Sequence, residues 1–284
     1  MASLTEIIEA LMTPSLPVIL IGILVVVAAP VLLHLVLSCS ATYTTPPTVL
    51  LLGSSGAGKT CLLTLLERGS HPCQTHTSQA VQSVELNAST NSASKHSFRN
   101  HDDSSGTHTK FLLVDTPGHG KLRPVALGKL ARAEKLCAIV FMLDAAALSE
   151  RHALADTASY LYHVLLHLQK KASAKSGKSS VPLLVAANKM DLFTALPATV
   201  VKAQLEDELT RIRASKSKAL LDSGVGNEDI GSEEHDDWLG EYGSKRFAFD
   251  QMQEFDLDVD VIGGSVLAEG ADVDKWWWWI AQRV

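Results

Sequence analysis

Cysteine, aromatic residues and excess positive charge are all scarce in this chain of 284 residues. Its four cysteines, Cys39, Cys61, Cys73 and Cys137, do not form close pairs, which argues against a zinc cluster and against a disulfide framework. The formal net charge is -6, so the composition gives no indication of direct nucleic-acid binding. Hydrophobic residues make up 46% of the chain, which is enough for a folded core.

Charge is also absent from a long segment near the N-terminus. Residues 16–37 contain no formal charge, and a helix of that length, at ~1.5 Å per residue, crosses a hydrocarbon core of ~30 Å. A cleaved signal peptide is the alternative, but such a peptide has a basic start, whereas Glu6 and Glu9 precede this run and the first basic residue is Lys59. We predict an N-terminal tail over 1–15, a transmembrane helix over 16–38 and a linker over 39–47. The uncharged flanks give no orientation.

A glycine-rich phosphate-binding motif follows the linker. The apolar, strand-like run Thr48–Gly53 leads into GSSGAGKT, and a helical segment follows. In this P-loop pattern, backbone amides and a helix N-terminus hold the phosphates, a lysine reaches the β and γ phosphates, and a hydroxyl ligates Mg²⁺. Lys59 and Thr60 would take the last two roles. The predicted nucleotide-binding residues are Gly53, Ser54, Ser55, Gly56, Ala57, Gly58, Lys59, Thr60 and Cys61.

A second apolar run, KFLLVD, ends in Asp115 and continues as DTPGHGK. An acid at the end of a strand in P-loop proteins holds the Mg²⁺ site, so Asp115 is a predicted metal residue. Gly118 has no side chain to keep its amide from the γ phosphate, and this segment can therefore sense whether that phosphate is present. His119 is the predicted catalytic residue, because it follows where a side chain could orient the attacking water; a plain surface histidine is the alternative.

The sequence NKMD at the end of the apolar run VPLLVAAN predicts the base that is bound. Asp191 can accept both the N1 and the exocyclic amine protons of guanine, a pair of donors that adenine lacks. The stem of Lys189 can cover the ring, and Asn188 can brace the loop. Together with the P-loop and Asp115, this motif predicts GTP with Mg²⁺.

Two further assignments depend on loops. Thr75 and Thr77 both lie where a mobile loop could complete the Mg²⁺ coordination, and we favour Thr77 as a nucleotide and metal residue. Ser265 follows the alternating run FDLDVDVIGG and could lie beside the guanine O6, although a generic strand-ending turn has the same pattern.

The order of strands and helices predicts a doubly wound, mostly parallel α/β sheet with helices on both faces, a G domain over 48–284. Polar stretches predict flexible insertions near 87–109, 170–180 and 214–245. The second of these is basic, which indicates a solvated linker or, alternatively, contact with anionic lipid headgroups. The C-terminal DVDKWWWWIAQRV predicts a helix whose four tryptophans either pack within the domain or partly contact a membrane or partner.

The motifs GSSGAGKT, DTPGHGK and NKMD behind an N-terminal hydrophobic helix resemble those of the signal recognition particle receptor beta subunit family, and THTS at Thr75–Ser78 resembles its first switch. The resemblance implies an Arf-like GTPase of the P-loop superfamily in the endoplasmic reticulum membrane, with one membrane span, a luminal N-terminus and a cytosolic G domain. It also implies that the GTP-bound form holds the N-terminal domain of the receptor alpha subunit, near the ribosome and the translocon. GGSVLAEG departs from the family's last G motif except at Ser265.

Three functional hypotheses follow. The first is a nucleotide-gated receptor subunit with slow or partner-stimulated GTP hydrolysis, since the sequence shows no arginine finger. The second is a self-sufficient turnover GTPase of another membrane process, in which His119 has a full catalytic role. The third is a scaffold in which the nucleotide only stabilises the fold.

Overall fold

The structure is a computed structural model of the chain and describes residues 19–20, 23–32, 46–69, 74–89, 108–133, 135–174, 181–222, 238–241, 244–267 and 272–284. The chain divides into two compact units, Met1–Thr45 and Pro46–Val284. In the first unit, residues 19–20 and 23–32 are helical. None of the helices among the described residues is long and apolar enough to cross a membrane. The rest of the predicted span over 16–38, the tail over 1–15 and residues 39–45 of the predicted linker lie outside the described residues.

The second unit is built on a six-stranded sheet with the order β2-β3-β1-β4-β5-β6. Among the strands that the structure describes, β2 and β3 pair antiparallel and the other four neighbouring pairs are parallel. The central strands are nearly continuous apolar runs and are buried, as expected of strands covered on both faces. The strands are β1 Thr48–Gly53, β2 Gln82–Ser89, β3 His108–Asp115, β4 Leu136–Asp144, β5 Leu183–Asn188 and β6 Val259–Gly263.

Helices cover both faces of the sheet, and the prediction of a mostly parallel α/β fold is confirmed. Residues of α1 and α5 belong to the hydrophobic core on one face, and residues of α2, α3 and α4 belong to the core on the other. The helices are α1 Lys59–Arg68, α2 Arg123–Arg132, α3 Arg151–Ala174, α4 Ala198–Asp222 and α5 Asp274–Ala281. Short 3-10 helices span Gly120–Leu122, Ala147–Ser149 and Phe249–Phe255.

The ends of the three predicted flexible insertions are part of regular structure, which corrects the sequence-based boundaries. β2 extends to Ser89, β3 begins at His108, α3 extends to Ala174 and α4 extends to Asp222. The remaining stretches, 90–107, 175–180 and 223–237, lie outside the described residues.

The far end of the third predicted insertion is packed on the domain. Leu239 is fully buried, and the Arg213 guanidinium donates to the carbonyl oxygens of Leu239 at 3.1 Å and of Ser244 at 2.6 Å. The Gln169 side chain donates to the Trp238 carbonyl at 2.9 Å. These side chains provide hydrogen bonds to backbone carbonyls that a flexible, solvated loop would expose to water.

Three of the four consecutive tryptophans pack inside the domain. Trp276, Trp277 and Trp279 are buried, whereas Trp278 is 42% exposed. The Trp276 indole donates to the Ile262 carbonyl at 3.0 Å. Of the four tryptophans, Trp278 is therefore the one that could contact a membrane or a partner.

Candidate functional site

The carboxyl ends of the parallel strands meet at one edge of the sheet and form a cleft of about 250 Å³. An open α/β sheet binds ligands at this edge, because the loops and helix N-termini converge there. The cleft is lined by the P-loop and the start of α1, by the segment Thr75–Ser78, and by Gly118, Asn188, Lys189, Val266 and Leu267.

Gly58 and Gly118 are among the glycines that the close approach of other groups requires. Gly58 has a left-handed φ of 97°, and a Cβ there would strike the Asn188 amide. A Cβ on Gly118 would strike the Lys59 ammonium and lie 2.8 Å from the Gly53 carbonyl oxygen. The backbone of the DTPG segment therefore lies directly against the P-loop, as sensing of a terminal phosphate requires.

Lys59 is buried at the base of the cleft, where its Nζ donates to the carbonyl oxygens of Gly53 at 2.9 Å and Ser54 at 2.8 Å. Burial lowers its pKa from 10.5 to about 8; Asp115 acts in the opposite direction, and Arg123 adds to the lowering. A lysine with this pKa is poised to gain stabilisation from the negative charge of a phosphate.

Thr60 and Asp115 form the predicted metal pair. The Thr60 hydroxyl donates to Asp115 Oδ2 at 2.6 Å, and burial raises the pKa of Asp115 although this hydrogen bond and Lys59 lower it. The other oxygen, Oδ1, is buried and has no hydrogen-bond partner among the described residues. A hydroxyl and a buried carboxylate with an unsatisfied oxygen fit Mg²⁺, which prefers oxygen ligands and usually keeps several coordinated water molecules.

Asn188 joins the phosphate side of the cleft to the base side. Its Nδ2 donates to the Ala57 carbonyl at 2.8 Å, and its Oδ1 accepts from the Val266 amide at 3.1 Å. Because Asn188 is buried, both bonds are shielded from water. The structure thus brings together the P-loop, the NKMD loop and the turn after β6.

Lys189 has a left-handed φ of 66° and is held by an acid that sequence reasoning missed. Its Nζ lies 2.5 Å from Asp144 Oδ2, while Asp144 Oδ1 accepts from the amides of Ala146 at 3.0 Å and Ala147 at 3.1 Å. The only sequence signal was that Asp144 ends an apolar run, as Asp115 does. Strand register supplies the rest, since Asp144 pairs with Asn188.

Asp191 and Ser265 are adjacent although 74 residues separate them. The buried Ser265 hydroxyl donates to Asp191 Oδ1, and the Met190 amide donates to the Gly264 carbonyl at 3.2 Å. Asp191 itself is exposed, so its carboxylate is accessible to a base.

Both candidate switch threonines line the cleft. Thr75 contacts the Cys61 sulfur at 2.9 Å through its hydroxyl, so Cys61 lies against this loop at the start of α1. The assignment of Thr77 as a metal residue stays a prediction.

His119 is exposed and does not belong to the described lining of the cleft. Its Nδ1 accepts from the Lys121 amide at 3.2 Å and so caps the 3-10 helix that begins at Gly120. Arg123, which sequence reasoning did not single out, lies 4.8 Å from the centre of the Tyr160 ring and pairs with Asp156 at 2.5 Å.

Known proteins are similar to this chain in sequence and in fold. The family model described as "Signal recognition particle receptor beta subunit" matches residues 44–255. The beta subunit of Saccharomyces cerevisiae is 27% identical over 241 residues, which cover 84% of each chain.

Two similar solved structures come from Chaetomium thermophilum. The "Signal recognition particle receptor SRb-GTP/SRX complex" has a TM-score of 0.70 and 40% identity, covering 84% of this chain and 100% of that one. The "SRb-GDP-Mg" structure has a TM-score of 0.63 and 41% identity, covering 86% and 100%. The matched family model, the shared fold and the motifs at the cleft together show that this chain belongs to the signal recognition particle receptor beta subunit family.

Proposed function

We propose that this chain is a GTP-binding receptor subunit, anchored by one N-terminal helix in the endoplasmic reticulum membrane with its G domain in the cytosol. Its GTP-Mg²⁺ form holds the N-terminal domain of the receptor alpha subunit during co-translational protein targeting. Family membership supports the proposal, as do the names of the similar structures, which pair SRb with GTP and SRX and with GDP and Mg.

The observation that supports guanine-nucleotide binding best is the double hydrogen bond of Asn188. It fixes the P-loop carbonyl of Ala57 and the Val266 amide to one buried side chain. Phosphate-binding and base-binding loops are therefore held in one arrangement before any ligand arrives, which reduces the ordering cost of binding. Asp191 then presents an acceptor pair that matches guanine and rejects adenine.

Thr60 and Asp115 would hold Mg²⁺, with Thr77 as the candidate that joins them from the loop at 74–79. When bound, the ion neutralises charge on the β and γ phosphates. Lys59 supplies a second positive charge from the base of the cleft, and the amide of Gly118 would donate to the γ phosphate. Loss of the γ phosphate removes the ligand that orders both the loop at 74–79 and the DTPG segment, which is the physical basis of gating.

The exposure and the hydrogen bond of His119 favour a role in partner binding or in slow GTP hydrolysis over a role in rapid GTP turnover. Its side chain is exposed, and Nδ1 is already engaged with the Lys121 amide. While Nδ1 accepts this bond, a neutral imidazole carries its proton on Nε2. His119 could then donate to a water, but it could accept a proton from that water only after the bond is released. Nucleotide-dependent binding of the partner is therefore the main proposed function, and catalysis is secondary.

The test is capture of the alpha-subunit N-terminal domain by the detergent-solubilised full chain with GTP, GDP, ATP or no nucleotide. We expect capture with GTP alone. Asp191→Asn replaces an acceptor by an amide donor, so it should abolish capture with GTP and restore capture with xanthosine triphosphate, whose base has a carbonyl at the corresponding position.

Asp256→Asn is the matched control, because Asp256 is exposed and has a left-handed φ of 55°, which asparagine tolerates. This variant should behave as the wild type. Equal capture in all four nucleotide states would support the scaffold hypothesis, and rapid single-turnover hydrolysis without a partner would support the turnover GTPase.

A further inference from the structure

A group of exposed basic side chains lies at the edge of the sheet opposite the cleft. We call this group the basic face and define it by Lys110, Lys129, Arg132, Lys135 and Lys170. Lys110 is on β3 near its start, Lys129 and Arg132 are in the last turn of α2, Lys135 immediately precedes β4, and Lys170 is near the end of α3.

Contacts at this edge hold the group together. Lys171, next to Lys170, donates to the carbonyl oxygens of Leu130 and Ala133, each at 3.2 Å, and so joins the end of α3 to the end of α2. The Thr48 amide donates to the Lys135 carbonyl at 2.8 Å. The ends of α2 and α3 are therefore joined at this edge, and Lys135 is held against the start of β1.

Four of the five side chains of the basic face have no ion-pair partner within the part of the chain that the structure describes. Lys110, Lys129, Arg132 and Lys135 form no ion pair with any residue that the structure describes. Glu134, which lies between Arg132 and Lys135 in the sequence, is outside the described residues; exposed carboxylates on neighbouring elements are Glu67 at the end of α1 and Glu85 on β2, which is opposite Leu112. This face is positively charged although the whole chain has a net charge of -6.

The position of the basic face relative to the chain entry indicates its partner. The Pro47 carbonyl accepts from the Leu112 amide on β3 at 2.8 Å, and Thr48 pairs with Leu112 and Leu136. Lys110 and Lys135 thus flank the point at which the chain enters the G domain from the predicted linker. That linker, 39–47, spans at most ~30 Å when fully extended, so an anchored domain would stay within about that distance of the membrane surface.

We propose that the basic face docks on anionic phospholipid headgroups of the membrane that holds the anchor, leaving the cleft at the opposite edge accessible to nucleotide and partner. Lysine and arginine side chains near an anionic surface are attracted to it over about one Debye length. The inference rests on the proposed anchor, and the experiment tests the anchor and the docking of the basic face by separate measurements.

The experiment compares the full chain in nanodiscs of phosphatidylcholine alone with discs containing about 30% phosphatidylglycerol, an anionic lipid without an amine. Co-elution of the chain with both discs tests the anchor. Acetylation rates of individual lysines, measured by mass spectrometry, then test the basic face. We expect Lys110, Lys129 and Lys135 to react about threefold more slowly in the anionic discs and to recover in about 0.5 M NaCl.

Lys275 is the internal control, because it is exposed at the start of α5 near the cleft edge and its rate should not change. Lys129→Gln with Lys135→Gln should restore rapid acetylation of Lys110 in anionic discs, whereas Lys275→Gln should not. Equal rates in the two kinds of disc, or protection that salt does not reverse, would overturn the proposal. Protection by added RNA but not by the anionic discs would overturn it too and would indicate a nucleic-acid-binding face.

Discussion

Lys59 is the residue at which burial and function conflict most directly. Its pKa of about 8 means that the free protein loses this positive charge at mildly alkaline pH. Bound phosphates favour the charged form, so nucleotide affinity depends on the charged fraction of Lys59 in the free protein. Between about pH 7 and about pH 9 this fraction falls by about tenfold, and we expect the affinity for GDP to fall equally.

Fluorescence titration with a labelled GDP at several pH values measures this effect. Lys59→Arg is the control, because its guanidinium stays charged and the variant should show no such decline, whatever its absolute affinity. A wild-type affinity that is constant up to about pH 9 would contradict the prediction.

The same pKa shift has the opposite consequence for folding without nucleotide. The unfolded chain keeps the Lys59 proton up to the ordinary value of 10.5, while the folded chain releases it near 8. Because the unfolded state binds more protons in this window, the Lys59 contribution to the free energy of unfolding increases as pH rises from about 8 to about 10. Lys59→Met should remove this increase.

Asp144 is expected to act on guanine binding through Lys189. Its 2.5 Å contact with Lys189 Nζ fixes the lysine stem that would cover the base. Asp144→Asn keeps the shape and weakens a charge-assisted bond, so GDP affinity should fall by about fivefold to tenfold. In a Lys189→Met background the same change should have almost no further effect, since the interaction is already absent. Additive losses in this double-mutant cycle would show that Asp144 acts by another route.

At the scale of elements, α5 shows how one residue type takes different roles within one turn. Trp276 is 1% exposed and donates to the Ile262 carbonyl, whereas Trp278 is 42% exposed. We expect Trp276→Ala to lower the free energy of unfolding by about 3–5 kcal/mol because it leaves a cavity and an unpaired carbonyl. Trp278→Ala should change it by less than about 0.5 kcal/mol.

Urea denaturation of the two variants measures the difference. Similar losses for both would mean that α5 does not pack on β6 with the described side facing inward.

Elements with strong local signals were predictable, and their ends were not. β1, β4 and β5 are nearly continuous apolar runs, the pattern expected of strands that are covered on both faces. α4, in contrast, was predicted to give way to a solvated loop near Ala214 but extends to Asp222. The polar sequence gave no sign that the buried Arg213 would hold the Leu239 carbonyl from the other end of the insertion.

At the scale of the whole molecule, nucleotide and metal should stabilise the fold together. A ligand at about 100 times its dissociation constant adds about 2.7 kcal/mol to the free energy of unfolding when only the folded state binds it. We expect this gain with GDP and Mg²⁺, a smaller gain after Mg²⁺ is removed by EDTA, and none with ADP. Thermal denaturation of the full chain measures it.

Thr60→Ala removes the predicted hydroxyl ligand and should make the GDP effect insensitive to EDTA, while Thr64→Ala, one helical turn away, should keep the wild-type response. An equal stabilisation by ADP and GDP would contradict the base specificity assigned to Asp191.

The sequence by itself determined the family and the nucleotide class, because each motif that indicates them lies within a few consecutive residues. A P-loop binds phosphates with contiguous backbone amides, so its chemistry is visible without knowledge of any partner element. Only the tertiary structure decided that Asp144 holds Lys189, that Ser265 meets Asp191, and that Asn188 joins both sides of the cleft. These pairs depend on strand order and register, which bring residues far apart in sequence to the same edge of the sheet.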